Sequence, residues 1–143
     1  MCGIFSVFGN INKTRSYYLE KSKLLRHRGP DWNGIYKDDD VVICHERLSI
    51  VGVNDGSQPI TIENDNYILS INGEIYNYKE LYTTALQDKY EPTTESDCEV
   101  ILYLYKEFGL QFMNMLDGIF GFVLYDKINK KFIVARDPIG IIP

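Results

Sequence analysis

Apolar positions along the chain fall into short runs and stripes. Ile4–Phe8 is a compact apolar run closed by Gly9-Asn10, and it predicts a buried strand. Ser16–Arg26 predicts a helix, with Tyr17, Tyr18, Leu24 and Leu25 on one stripe and basic residues near its C-terminal end. Gly29-Pro30-Asp31 breaks the chain. Strands are predicted near Gly34–Lys37 and over Val41–Leu48, with a turn at Gln58-Pro59. A further strand over Asn66–Ile71 is expected to end sharply at Asn72-Gly73, a dipeptide that tolerates positive φ. Over Asn77–Gln87, Tyr78, Leu81, Tyr82, Ala85 and Leu86 recur at helical spacing, with Asn77 as the cap. Ser96-Asp97-Cys98-Glu99 reads as a capping box opening a helix that runs to about Phe108 and stops at Gly109. Its stretch Val100–Tyr105 leaves almost no polar face, so this helix should be buried. A helical turn over Gln111–Leu116 and two paired strands, Ile119–Tyr125 and Lys131–Arg136, complete the pattern.

The order of strands, helices and strands lacks βαβ alternation. It predicts antiparallel sheet with helices packed on its faces, an α+β arrangement. At 143 residues the chain is one domain or a piece of one, without repeats or linkers. The apolar end Ile139-Gly140-Ile141-Ile142-Pro143 has no solubilising tail and suggests the front of something longer.

Composition narrows the chemistry. Hydrophobic content of 45% and aromatic content of 13% fit a globular core. A net charge of −5 argues against nucleic acid or an anionic membrane as partner. There is no secretory n-region and no apolar stretch of about 18 residues, so no membrane span is expected. The three cysteines, Cys2, Cys44 and Cys98, are widely spaced, with no CxxC pair and no histidine at metal-ligand spacing. A reducing, cytoplasmic location and no metal are therefore expected.

Cys2 carries the candidate chemistry. Removal of Met1, favoured when the second residue is small, would place a thiol and an α-amine on one residue. Their ordinary pKa values, about 8.5 and about 8, let the amine serve as base for its own side chain. A thiolate attacking an amide needs an oxyanion hole, and the Asn72 side chain with the Gly73 backbone N–H suits that task. Arg47 could grip a carboxylate, and Glu74 and Asp97 an ammonium, as a zwitterionic amino acid would need. Each residue also has a plainer reading. Cys2 can be an ordinary strand residue, Asn72-Gly73 a hairpin turn, Asp97 a helix-dipole acid and Arg47 a surface ion-pair partner. His27 reads better as a packing or backbone-bonding residue than as a base, and Cys44 and Cys98 as buried, inert thiols.

The ordered set MCGIFSVFG, RHRGPDWNG, HERLSIV, NGEIYN, ESDCEVIL, DGIFGFVLYD and ARDPIGIIP changes the balance. With it the chain resembles, over essentially its whole length, the N-terminal class II glutamine amidotransferase (glutaminase) domain of glutamine-hydrolysing asparagine synthetases. RHRGPDW, RLSIV and RDPIGIIP favour that family over sister amidotransferases that act on other acceptors. The resemblance implies an N-terminal-nucleophile (Ntn) hydrolase fold, a four-layer αββα sandwich of two antiparallel sheets, here C-terminally truncated, with no synthetase domain in residues 1–143. It implies Cys2 as nucleophile and Asn72 and Gly73 as oxyanion-hole pair. Arg47 matches the residue for the α-carboxylate of glutamine, the Leu48, Ser49, Ile50 and Val51 backbone lines the pocket, and Glu74 and Asp97 match the groups for the α-ammonium. The Arg26–Asp31 loop matches one that shapes the pocket.

The reaction so implied is hydrolysis of glutamine to glutamate and ammonia. An internal channel would deliver the ammonia to a synthetase domain that turns aspartate into asparagine with ATP. No cofactor is expected in these residues; ATP and magnesium belong to that absent domain, since no GxxxxGK[ST] sequence occurs. A homodimer is left open. Two other readings stand beside this one: an inactive relic or non-catalytic module, and a glutaminase domain serving a different acceptor.

Overall fold

The computed structural model describes residues 1–48 and 57–142. The first sheet holds β1 (Gly3–Phe8), β2 (Trp32–Lys37) and β3 (Val41–Arg47), with β3 in the centre and both neighbours antiparallel to it. The second holds β4 (Ile60–Ile62), β5 (Tyr67–Ile75), β6 (Gly118–Asp126) and β7 (Lys131–Arg136), in that order and also antiparallel. Helix α1 (Arg15–Ser22), capped by Thr14 through Tyr17 N–H, covers the first sheet. Helices α2 (Tyr78–Thr83) and α3 (Val100–Phe108) cover the second.

Three apolar layers show how the sandwich is held. Tyr18 of α1 packs with Val42 and Cys44 of β3. Between the sheets, Val41 and Ile43 of β3 meet Ile68 of β5 and Val123 and Tyr125 of β6. Beyond the second sheet, Leu69, Ile71 and Ile75 of β5 and Phe122 and Leu124 of β6 meet Leu81, Ile101, Leu104 and Phe112. All seven residues of β3 are buried because it has a helix on one face and a sheet on the other. Its side chains alternate between the two.

The inter-sheet face changes character toward one end. Along β3 it reads Val41, Ile43, His45, Arg47; along β5 it reads Ile68, Ser70, Asn72. Apolar contact thus gives way to polar groups at the end where Cys2 precedes β1.

Several local expectations are corrected. The predicted strand Asn66–Ile71 does not stop at Asn72-Gly73; β5 continues to Ile75. The reason is β6, which supplies an unbroken antiparallel partner from Tyr67↔Asp126 to Ile75↔Gly118. Gly73 is there for close approach rather than for a turn. A Cβ on it would lie 2.1 Å from the Ile119 carbonyl oxygen. The predicted helix Ser16–Arg26 is α1 followed by a 3₁₀ turn at Lys23–Leu25. The predicted Asn77–Gln87 helix is α-helical only as far as Thr83, although Leu81, Tyr82 and Leu86 are buried as its spacing implied. Gln87 and Asp88 take positive φ and reverse the chain. The capping box at Ser96 does not form. Ser96 Oγ accepts from Cys98 N–H, and the Glu99 carboxylate turns away to Thr93 and Thr94. The short strand β4, Ile60-Thr61-Ile62, alternates buried and exposed over only three residues and is not among the predicted strands.

Candidate active site

Cys2 sits just ahead of β1 at the polar end of the inter-sheet space, where three groups hold its backbone and sulfur. Its backbone N–H donates to Asn72 Oδ1 (2.9 Å), and its carbonyl accepts from Arg28 Nε (3.1 Å). Leu48 N–H donates to its sulfur (3.4 Å), while Sγ reaches the Leu48 carbonyl at 3.7 Å. Arg28 reaches Cys2 because the Arg26–Asp31 loop presses on β3. A Cβ on Gly29 would lie 2.1 Å from the Glu46 carbonyl oxygen, so only glycine lets the loop come this near.

Donation from Cys2 N–H fixes the Asn72 amide. Its oxygen must face Cys2, which leaves the Nδ2 donors at the other edge of the amide. Gly73 is oriented by its partner across the ladder. Phe120 donates its N–H to Asp137 Oδ2 (3.3 Å) and accepts Asp137 N–H on its carbonyl (2.8 Å), so both its backbone groups face away from β5. Opposite residues in an antiparallel ladder exchange both bonds or neither. Gly73, paired with Phe120, therefore turns its N–H and C=O outward from β6. The Cys98 thiol meets the Gly73 carbonyl from that side (3.7 Å).

Among the described residues no strand covers that outer edge at Gly73. β4 pairs with β5 only as far as Leu69. Next along, the Gln58 side-chain amide takes over as a surrogate strand. It donates to the Ile71 carbonyl (3.0 Å) and accepts Ile71 N–H (2.8 Å). The Gly73 N–H lies one step further on, at a cavity. Replacing Gly73 with alanine drives a methyl into the Ile119 carbonyl and should cost about 2 kcal/mol or more. Thermal unfolding should then show a midpoint lower by roughly 7 °C or more.

The cavity, about 130 Å³, has room for roughly four waters' share of liquid volume. Cys2, Arg47, Leu48, Asn72, Gly73, Glu74 and Asp97 all line it, so seven of the ten predicted positions come together. Ser49, Ile50 and Val51 lie outside the described residues. Arg47 is buried at the end of β3, whereas Glu74 is exposed. Asp97 is half-buried and anchored, its Oδ2 accepting Ile75 N–H (2.6 Å). One cation and two carboxylates therefore share a small space with a thiol and two outward donors. The wall suits a zwitterion, and the donor pair suits an oxygen that gains charge when sulfur attacks.

Other residues also shape this site. Met1 and Gln58 line the cavity, and Arg28 holds the Cys2 carbonyl. Gln58 gave no sequence signal, because its role follows from the early end of β4. A second, larger cavity of about 670 Å³ opens between β1 and β7, lined chiefly by apolar side chains such as Ile4, Phe8, Phe122 and Val134. Cys2, Asn72 and Ile142 border both cavities.

Three further titratable candidates do not supply the reacting group, although Cys98 lines the small cavity. His27 is exposed, its Nδ1 within 3.1 Å of the Leu24 carbonyl. Burial, aided by Glu46, pushes the Cys44 thiol up to about 12, and burial raises Cys98 well above the ordinary thiol range. Neither is a ready nucleophile. Among the described residues no group of three or more His, Cys, Asp or Glu is gathered for a metal, and no helix is long and apolar enough to cross a membrane.

Comparison with known proteins shows the family and the fold. The chain is 47% identical over 147 residues to a probable asparagine synthetase (glutamine-hydrolysing) of Dictyostelium discoideum. It is 48% identical over 146 residues to asparagine synthetase B (glutamine-hydrolysing) of Escherichia coli. Both alignments take in all of this chain and 26% of the relative, so the chain spans about a quarter of the length of the curated relatives it matches. Among solved structures, glutamine phosphoribosylpyrophosphate amidotransferase from B. subtilis matches with a TM-score of 0.75 at 20% identity, over 96% of this chain and 38% of that one. At that identity the likeness is one of fold, the expected sandwich of two antiparallel sheets with helices on the outside. The family description "Glutamine amidotransferase domain" fits residues 1–143 from end to end, and the chain belongs to that family.

Proposed function

We propose that this chain hydrolyses glutamine to glutamate and ammonia, with Cys2 as an N-terminal nucleophile exposed by removal of Met1. The observation that carries the reading is the single small cavity in which Cys2, Asn72, Gly73, Arg47 and Asp97 meet. Arg47 takes the α-carboxylate of glutamine, and Asp97 with Glu74 takes the α-ammonium. The side-chain amide carbonyl then faces the Cys2 sulfur.

The freed α-amine, held by Asn72 Oδ1, accepts the thiol proton as sulfur attacks. Asn72 Nδ2 and Gly73 N–H stabilise the tetrahedral oxyanion. Collapse breaks the C–N bond, and the Cys2 ammonium returns its proton to the departing ammonia. Water, deprotonated by the same amine, hydrolyses the thioester to glutamate and frees the thiol. Met1 lines the cavity beside Cys2, and its removal is what frees the Cys2 amine.

Ammonia leaves, on this reading, through the apolar cavity that Cys2 and Asn72 also border, toward a synthetase domain that converts aspartate to asparagine. The names of the relatives support that destination. ATP and magnesium are assigned to that synthetase part. A homodimer and a cytoplasmic location belong to the same proposal.

The test is glutamine hydrolysis by the full chain, followed as glutamate and ammonia, with intact mass to establish loss of Met1. Both products should appear in equal amounts from the processed chain. Cys2→Ala should reduce them to background; equal release from wild type and Cys2→Ala would end the reading.

A further inference from the structure

Glu99 takes no part in the reaction just described, yet its buried carboxylate accepts from five donors. These are the N–H and hydroxyl of Thr93 (both 2.8 Å), the N–H and hydroxyl of Thr94 (2.8 and 2.6 Å) and the Tyr103 hydroxyl (2.9 Å). Burial alone would raise its pKa, but the bonds from Thr94, Thr93 and Tyr103 outweigh burial and hold it below the ordinary carboxylate range. The same segment carries the network onward. Thr94 Oγ1 accepts Ser96 N–H (3.2 Å), Ser96 Oγ accepts Cys98 N–H (3.3 Å), and Asp97 Oδ2 accepts Ile75 N–H (2.6 Å). Ser96, Asp97 and Cys98 form one wall of the small cavity.

We propose that Glu99 is a positioning residue for the ammonium-binding wall, holding the irregular segment 93–96 so that the Asp97 carboxylate meets the α-ammonium of the substrate. The inference rests on the reading that this cavity binds glutamine. A helix-capping role does not account for the arrangement. In a capping box the Glu99 carboxylate would take the Ser96 N–H, which goes to Thr94 instead. Charge is needed because four of the five donors come from Thr93 and Thr94, two to each carboxylate oxygen. An amide at this position would turn an NH₂ group against either the Thr93 or the Thr94 N–H.

The test compares two substrates in the full chain. Glutaramate keeps the carboxylate and side-chain amide of glutamine but lacks the α-ammonium. Glu99→Gln should lower kcat/KM for glutamine about tenfold, mostly through KM, and change kcat/KM for glutaramate less than about twofold. Glu99→Asp, which keeps the charge, should recover part of the loss. Thr94→Ala, which leaves the carboxylate in place and breaks its link to Ser96, should show the same selectivity at smaller size and keeps the proposal testable if Glu99→Gln fails to fold. Equal losses on both substrates, or no loss on glutamine in a folded variant, would overturn the proposal. Absence of glutamine hydrolysis in the processed wild type is a different result; it overturns the functional reading and this inference with it.

Discussion

Replacing Asn72 with alanine is expected to lower kcat for glutamine hydrolysis by about 10²–10³-fold, the usual effect of removing one oxyanion donor. Asn72 has two tasks in this arrangement: Oδ1 holds the Cys2 nitrogen at 2.9 Å, and Nδ2 serves the oxyanion. Alanine removes both. Asn72→Asp separates them, because it keeps an acceptor for the Cys2 amine but puts negative charge where negative charge develops. If the oxyanion task dominates, the aspartate variant is at least as slow as alanine. If anchoring dominates, aspartate retains most of the activity, and the oxyanion role passes to Gly73 N–H alone. Steady-state kinetics of the two variants beside wild type decides between these outcomes, and unchanged KM in both would place the effect in the chemical step.

Lowering the pH from 7 to 4.5 should destabilise the folded chain through His45. This ring is fully buried between the sheets, with Nδ1 and Ser70 Oγ 2.9 Å apart. Burial, with Arg47 nearby, pushes its pKa down to about 3 from an ordinary 6.5. The unfolded chain therefore binds a proton that the folded chain refuses. The contribution of neutral His45 is complete above about pH 6.5 and is lost as pH falls toward 3. The slope is about 1.4 kcal/mol per pH unit, so roughly 3 kcal/mol should go by pH 4.5, before most carboxylates protonate. Urea unfolding at stepped pH would measure this. In His45→Gln the curve between pH 6.5 and 4.5 should flatten, because the remaining histidine, His27, is exposed. A wild-type curve already flat in that window would show that the ring is solvated or carries its charge in the fold.

Residue types offered the candidate site, and the ordered motifs chose it over the plainer readings. A thiol at position 2, an asparagine-glycine pair, one arginine and two acids describe a nucleophile, a donor pair and a zwitterion grip. The structure gathers Cys2, Arg47, Leu48, Asn72, Gly73, Glu74 and Asp97 around one cavity. Element positions were less accessible where local preference and tertiary pairing disagree. Asn72-Gly73 has turn preference, but β6 offers nine paired positions opposite β5 and carries the strand through it. Ser96 and Glu99 have capping-box spacing, but two threonines ahead of them offer the carboxylate four donors in place of one.

By itself the sequence determined the side-chain chemistry and the alternation that sends it to one face or another. It set which end of β3 and β5 is apolar and which is polar, because period-2 placement is written residue by residue. Only the tertiary structure decided which atoms meet. Asn72 reaches Cys2 across 70 positions because two sheets stack face to face, and Leu48 reaches it across 46 because β1 pairs with β3. Backbone donors such as the Leu48 and Gly73 N–H groups leave no mark in a sequence, since nearly every residue carries the same group. Their direction is set by the neighbouring strand, which only folding supplies.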